Sequence, residues 1–275
     1  GYPMAGHLSK NNYNVTVYNR TNSKAKKWID EYHGKIVLSP SEGAANADLV
    51  ITCVGNDKDL REVLEGPNGV LKSIKSETII IDHTTASANI AKYFYNICKS
   101  KNIDFLDAPV SGGQAGAENG KLSIMIGGDE NIFNSTKNVL KSYGKNIQLI
   151  GNSGSGQLCK MVNQICIAGL VQGLSEGLSF GLKSKLDMNK VLNVISGGAA
   201  QSWQLDNRAN TMIKNKFDFG FAVDWMRKDL NICFDHSKSI NAQLPITEII
   251  YKYYEKIRSN GGGRWDTSSL ISLLN

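Results

Sequence analysis

The 275-residue chain is longer than a single hydrophobic core comfortably fills, so two domains are expected. Hydrophobic residues at 41% and charged residues at 20% are the balance of a globular protein, which excludes the disordered and fibrous classes. The formal charge of +6 comes from lysines scattered along the sequence, with no basic stripe interleaved with aromatics, and this argues against nucleic acid as a partner.

The chain opens on Gly1-Tyr2-Pro3-Met4-Ala5, which reads as a helix start with no strand before it. From residue 14 to about 150, short apolar runs alternate with amphipathic stretches, the pattern of βα units that build a mostly parallel sheet. Strands are expected at 15–18, 49–54, 78–82, 104–108, 122–126 and 147–150. Helix starts are marked between them: Ser39-Pro40-Ser41-Glu42 joins a capping box to a proline in the first turn, and Asp57 and Ser87 are suitable caps. After Gly151-Asn152-Ser153-Gly154-Ser155-Gly156 the pattern changes to helical spacing without proline, predicting one long helix over 157–185. Further helices are expected at 187–195, 201–215, 221–240 and 245–260, with Gly261-Gly262-Gly263 as a plain turn. The fold class is therefore an α/β Rossmann-type sheet over 1–152, a hinge near 152, and an all-α domain over 153–275.

No stretch of 18 uninterrupted apolar residues and no charged-then-apolar leader is present, so a chain without a membrane span is expected. Cys53, Cys98, Cys159, Cys166 and Cys233 contain no CxxC pair, and most lie in apolar runs where a thiol packs as a small hydrophobe. This usage points to a reducing, cytoplasmic compartment. His7, His33, His83 and His236 show no ligand spacing with cysteines or carboxylates, so no metal is expected and each histidine is read as structural or exposed.

A dinucleotide fold places G-x-G-x-x-G between its first strand and first helix, where backbone N–H groups face the pyrophosphate. Here Gly1 with Pro3 and Met4 fits the end of such a turn, and equally fits an ordinary helix N-terminus. The strand at 15–18 ends in Asn19-Arg20-Thr21, where NAD-binding chains carry an acid. A guanidinium there can fork onto a 2′-phosphate, so the cofactor is expected to be NADP, with NAD the lesser choice. Val54 and Thr85, at the ends of the next two strands, are candidates for the nicotinamide side. Asp107-Ala108-Pro109-Val110-Ser111-Gly112-Gly113 runs from a strand into a turn able to offer N–H donors and a hydroxyl to a carboxylate, and reads as well as a structural loop. Lys160 shares a helix face with Asn163 and Gln164, and its neighbours Met161, Val162, Ile165 and Cys166 suggest a buried turn, which makes it the candidate reactive amine.

These blocks, with Lys228-Asp229-Leu230 further on, resemble in order and spacing the β-hydroxyacid dehydrogenases, the family of 3-hydroxyisobutyrate dehydrogenase, tartronate semialdehyde reductase and glyoxylate/succinic semialdehyde reductases. The resemblance implies hydride transfer between a nicotinamide cofactor and a small carboxylic acid substrate, with Ser111, Gly112 and Gly113 on the substrate carboxylate. It implies Lys160 as general acid–base, Lys228 beside the cofactor, and a homodimer or homotetramer built through the helical domains. Asn163 is expected to orient the substrate, with Gln164, at a position where many members carry Asn, as a further substrate contact. The family also begins with a strand and Gly-Leu-Gly-x-Met ahead of the glycine matching Gly1, so this beginning reads as truncated; a molecule that really started here would lack the central strand of its sheet and be impaired in cofactor binding. Burial and a neighbouring cation such as Lys228 are expected to tune the Lys160 amine towards working pH. Imine reduction on the same architecture, and a non-catalytic cofactor-binding protein, are the alternatives. Trp203, Phe221 and Trp225 are candidates for the variable part of the substrate pocket, and as aromatics of the helical half are more readily core.

Overall fold

A computed structural model describes residues 1–274, which form two compact units, Gly1–Lys160 and a second that begins at Met161. In the first, α1 (Tyr2–Lys10) leads into β1 (Thr16–Val17), α2 (Asn22–Glu31) and β2 (Lys35–Ile36), and β1 and β2 pair in parallel as a small sheet of their own. The larger sheet takes β3 (Leu49–Thr52), β4 (Ile79–Asp82), β5 (Asp104–Asp107), β6 (Val110–Ser111), β7 (Leu122–Gly127) and β8 (Gly144–Gly151). Its order is β3-β4-β5-β7-β6, with β8 also on β7. The first three strands are parallel and β7 runs antiparallel to β5. Between them lie α3 (Pro40–Ala44), α4 (Asp57–Glu65), α5 (Ala88–Ser100), α6 (Gly113–Glu118) and α7 (Glu130–Leu140).

The sheet is covered on both faces because consecutive strand residues point opposite ways. Ile80 pairs in register with Phe105 and both join the core under α4 and α5, with Leu60, Leu64, Ile90 and Phe94. Their neighbours Ile81 and Leu106 pair in register and join the opposite core, with Leu8, Ile124, Phe133 and Tyr143. The helix starts are held as the local chemistry dictates: the Ser39 hydroxyl accepts from Glu42 N (3.1 Å), Glu42 in return accepts from Leu38 N (2.8 Å), and Ser87 accepts from Ile90 N (3.1 Å). One cap differs from expectation. Asn56, not Asp57, caps α4 by accepting from Asp59 N, and Asp57 in the first turn accepts instead from the backbone and hydroxyl of Ser87. The two-residue strands β2 and β6 carry no periodic signal and are additions to the expected set, and β8 begins earlier than expected, through the exposed polar residues Lys145 and Asn146 that carry no apolar signal.

Helix α8 (Ser155–Lys183) is a single 29-residue helix. The second unit continues with α9 (Met188–Ile195), α10 (Trp203–Ile213), α11 (Val223–Ile240) and α12 (Pro245–Ser259), and closes with two 3-10 helices, Gly262–Arg264 and Thr267–Leu273. The expected plain glycine turn is thus the entry to a 3-10 helix, with Gly261 at φ +88° supplying the left-handed step. One core joins Val171, Met226, Leu230, Ile250 and Tyr254, and another joins Leu178, Leu205, Met212 and Ile271. Near their meeting sits the buried carboxylate of Asp266, which accepts from Arg208 Nε (3.0 Å), Phe221 N (2.8 Å), and Ser268 N and Oγ (3.0 and 2.6 Å).

Among the described residues one helix, α8, is long and apolar enough by length and composition to cross a membrane, although polar residues interrupt its apolar run as the sequence indicates. Mean hydropathy tolerates the interspersed polar side chains that break an uninterrupted run, and of these Lys160, Gln164, Gln172 and Ser175 are buried. Its outward stripe is apolar instead: Val162, Leu170 and Phe180 are 62%, 49% and 73% exposed.

Asp266→Ala leaves the Arg208 guanidinium and two backbone amides of the helical unit without their acceptor. Chemical denaturation of the whole chain is expected to show a loss of about 3–5 kcal/mol, the cost of uncovering a buried charge; a loss below about 1 kcal/mol would contradict the role given to this carboxylate.

Candidate active site

In the first unit the strand ends converge. Thr52, Asp82 and Asp107 are in register across β3, β4 and β5 and form a polar row at the carboxyl edge, the edge where open α/β sheets bind ligands. The Thr52 hydroxyl donates to Asp82 Oδ1 (2.7 Å), as does Thr84 N (3.1 Å), while Asp82 Oδ2 is buried without a partner. Burial pushes the Asp82 carboxyl up to about 7, with the Thr84 and Thr52 donors pulling it down. His83, pointing to the other face, bonds the Ala108 carbonyl through Nδ1 (2.6 Å) and the Tyr143 hydroxyl through Nε2 (2.9 Å). Its burial lowers the imidazole to about 4, so it is a neutral structural residue at physiological pH.

Asp107 holds the start of α8. Its Oδ1 accepts from Gly154 N (2.6 Å) and its Oδ2 from Gln157 N (3.0 Å), satisfying two N–H groups that a helix end leaves unpaired. Burial raises its carboxyl to about 6 against the lowering effect of these amides. The approach is close enough to require glycine: a Cβ on Gly156 would collide with Met125 O and meet Asp107 O at 2.8 Å, and one on Gly127 would meet Asp107 Oδ1 at 2.6 Å. Lys160, one turn into this helix, is buried, with 6% of its surface exposed. The role of Asp107 was missed in the sequence because its partners lie about fifty residues away; the available signal was an acid at a strand end in a chain with a later Gly-Ser-Gly helix start.

The expected cofactor residues are drawn towards the same edge. Gly1 lies against Cys53 at the end of β3, with 3.5 Å between its Cβ position and Cys53 Cβ. Val54 N donates to the Thr84 hydroxyl (3.1 Å), joining the ends of β3 and β4 beside half-buried Thr85. Asn19 accepts from Thr21 N (2.9 Å) and shapes the turn into α2, and Arg20, 85% exposed, reaches Asp59 in the first turn of α4 (3.5 Å). Pro3 sits in the first turn of α1. Met4 is placed otherwise: its side chain is 3% exposed and packs in the core with Leu8, Ile81 and Leu106, which leaves only its backbone for a ligand. Ser111 ends β6, Gly112 (φ +125°) and Gly113 (φ +62°) turn the chain into α6, and Gly113 faces open space. The set fits a dinucleotide: small residues and backbone amides at the strand ends, and an exposed cation after β1.

In the second unit Asn163 Nδ2 donates to Gln164 Oε1 (2.8 Å), and Gln164 Nε2 donates to Asp229 Oδ2 (2.6 Å). Lys228 Nζ lies 2.8 Å from Asp229 Oδ1. Both ends of the buried Gln164 amide are thus committed to protein partners, which departs from its expected use on substrate, and the Lys228 charge is offset by Asp229 within its own unit. Val162 and Cys166 are exposed, so only Met161 of the residues flanking Lys160 is fully buried with it. Cys98 and Cys233 are buried and their thiols are pushed up to about 12 by desolvation, whereas Cys53 and Cys166 are exposed and do not pack as hydrophobes. Phe221 packs against the helical core, but Trp203 and Trp225 are 46% and 39% exposed and are not core residues. The described residues contain no group of three or more His, Cys, Asp or Glu arranged to hold a metal ion.

Residues 1–151 match the family described as the NAD binding domain of 6-phosphogluconate dehydrogenase, and residues 154–274 match the NAD-binding domain of NADP-dependent 3-hydroxyisobutyrate dehydrogenase. The chain is 52% identical over 274 residues to an uncharacterized oxidoreductase of Shewanella frigidimarina, covering 100% of this chain and 94% of that protein. It is 39% identical to a probable 3-hydroxyisobutyrate dehydrogenase-like protein, mitochondrial, of Arabidopsis thaliana, over 100% of this chain and 82% of the relative. Among solved structures, 3-hydroxyisobutyrate dehydrogenase of Mycobacterium tuberculosis with L-serine superposes with a TM-score of 0.88 at 26% identity, covering 100% of this chain and 95% of that one.

The opposed titrations of Asp82 and His83 give a test of this edge. Asp82 is raised from 3.8 to about 7, so between those values the folded chain holds the extra proton and stability falls as pH rises. His83 is lowered from 6.5 to about 4, so between those values the unfolded chain holds the extra proton and stability rises with pH. Asp82→Asn removes only the first effect. Urea unfolding at pH 4.5 and 7.5 is expected to show the variant gaining on the native chain as pH rises; a constant gap would contradict the buried, proton-holding Asp82.

Proposed function

Because the chain belongs to the β-hydroxyacid dehydrogenase family, and is a hydroxyacid dehydrogenase of the 3-hydroxyisobutyrate dehydrogenase type that works with a nicotinamide dinucleotide, we propose that it interconverts a small β-hydroxy acid and its aldehyde acid with NADP(H) as cofactor and Lys160 as general acid–base. The observation that carries this reading is a buried lysine one turn inside a helix whose start is fixed by Asp107 to the edge where the cofactor residues gather. The cofactor, when bound, accepts or supplies the hydride. As an amine, Lys160 takes the proton from the substrate hydroxyl during oxidation; as an ammonium it returns the proton to the carbonyl oxygen during reduction. Ser111 and the backbone at Gly112 and Gly113 hold the substrate carboxylate, and Asn163, three residues beyond Lys160 on the same helix, orients the substrate.

The preference for NADP rests on Asn19-Arg20-Thr21. No carboxylate ends β1, and the exposed ion pair of Arg20 with Asp59 is worth about 0–1 kcal/mol, so the guanidinium is available to a 2′-phosphate. The apolar stripe of α8 supports a homodimer. Gly169, Gly173 and Gly177 are spaced by four and face open space on the helix that also exposes Leu170 and Phe180, so a second copy of the helix can approach closely and cover them. All five cysteines are free, which supports a reducing compartment and the cytoplasm as its setting.

Lys160→Ala is expected to lower kcat by about 100- to 10,000-fold while the Kd for NADPH stays within threefold, measured with glyoxylate and with succinic, tartronic and methylmalonic semialdehydes. Retained turnover would remove Lys160 from the reaction, and NADPH binding by the native chain without turnover of any of these acids would favour a cofactor-binding role. Arg20→Ala is expected to raise KM for NADPH by about 10- to 100-fold, the value of a charged hydrogen bond, and to leave KM for NADH unchanged. Light scattering is expected to show a dimer or tetramer for the native chain and a smaller species for Leu170→Glu.

A further inference from the structure

Gln157 is wholly buried, in the first turn of α8 and three residues before Lys160. Its side-chain amide is used in both directions: Oε1 accepts from Ala86 N (3.0 Å), and Nε2 donates to the Thr84 carbonyl (2.8 Å). These bonds grip the backbone on either side of Thr85, which lies in the loop three residues after β4 and is the candidate for the nicotinamide side. The helix does not need this contact in order to start, because Asp107 already takes Gly154 N and Gln157 N. What the side chain adds is a fixed separation between the Thr84–Ala86 loop and the turn that carries Lys160. Hydride transfer and proton transfer must occur on neighbouring atoms of one substrate, and a misplacement of about 1 Å costs roughly 100-fold in rate.

We propose that Gln157 is a positioning residue that couples the cofactor loop at Thr85 to the acid–base Lys160, setting their spacing for concerted loss or gain of hydride and proton. The inference rests on the proposed function. Methionine at this position keeps the volume and loses both bonds. Glutamate keeps the acceptor for Ala86 N, and regains the donor to Thr84 O only when protonated.

The test compares Gln157→Met and Gln157→Glu with the native full chain, using NADPH, NADPH deuterated at the transferred position, and whichever aldehyde acid the native chain reduces. For Gln157→Met, kcat is expected to fall 10- to 100-fold with less than threefold change in KM for NADPH, and the isotope effect on kcat to rise as hydride transfer becomes rate-limiting. For Gln157→Glu, activity relative to the native chain is expected to recover as pH falls, a profile Gln157→Met does not share. If Gln157→Met fails to fold, the pH recovery and isotope effect of Gln157→Glu decide the matter. Variants that merely melt earlier, with kcat within twofold of native and an unchanged isotope effect, would overturn the inference while leaving the proposed function standing. A native chain that turns over none of the acids overturns both.

Discussion

Asp107 beneath the first turn of α8 is the contact on which the rest of the site depends. A carboxylate at the end of a central strand would ordinarily be expelled from so dry a position; here it is retained because a helix N-terminus offers it the N–H groups that have no other acceptor. The arrangement solves two problems together, since a buried acid needs donors and a buried helix end needs acceptors. Gly127 and Gly156 make it possible by leaving out the side chains that would hold strand and helix apart. The consequence is that Lys160 enters the site at a defined height above the sheet, set by backbone geometry rather than by a flexible loop.

The same edge shows how an open sheet can end in polar residues without losing its core. Thr52 and Thr84 solvate Asp82, and Ala108 and Tyr143 satisfy both nitrogens of His83. The two titratable groups lie on opposite faces, and burial shifts each towards its neutral form, the Asp82 carboxyl upwards and the His83 imidazole downwards. The loop that carries Thr84 and Thr85 is thereby supported from below by hydrogen bonds within the sheet.

The fold was largely legible in the chain because its signals are local. The apolar runs that become β3, β4, β5 and β7 lie between marked helix starts, and a proline-free helical pattern announces α8. What escaped was non-local. The strands β2 and β6 exist only because a partner lies beside two residues. The burial of Lys160 was anticipated from four apolar neighbours, yet Val162 and Cys166 face outward on a helix that is apolar on more than its buried side. Gln164 reads from its spacing as a substrate contact, but its amide is taken up by Asp229 and Asn163, a pairing across 65 residues of sequence for the first of them. Trp203 shows the same limit: an aromatic in a helical domain reads as core, and instead lies exposed with the Arg208 guanidinium 4.9 Å from its ring.

The border between the two compact units falls at Lys160 and Met161, inside the unbroken span of α8, whereas the two family matches meet in the short stretch 151–154 just before it. Structural compactness and the family matches therefore divide this protein at different places. A chimera joined at the compact border would splice two helices in mid-turn and part Lys160 from Asn163 by ancestry. One joined in the Gly-Asn-Ser-Gly stretch would pass the whole helix on as a single heritable piece, but would require the incoming helix to bring a glycine where Gly156 stands and the receiving sheet to keep its aspartate. Exchange of halves among relatives is thus free only along the line where that acid and that glycine are shared.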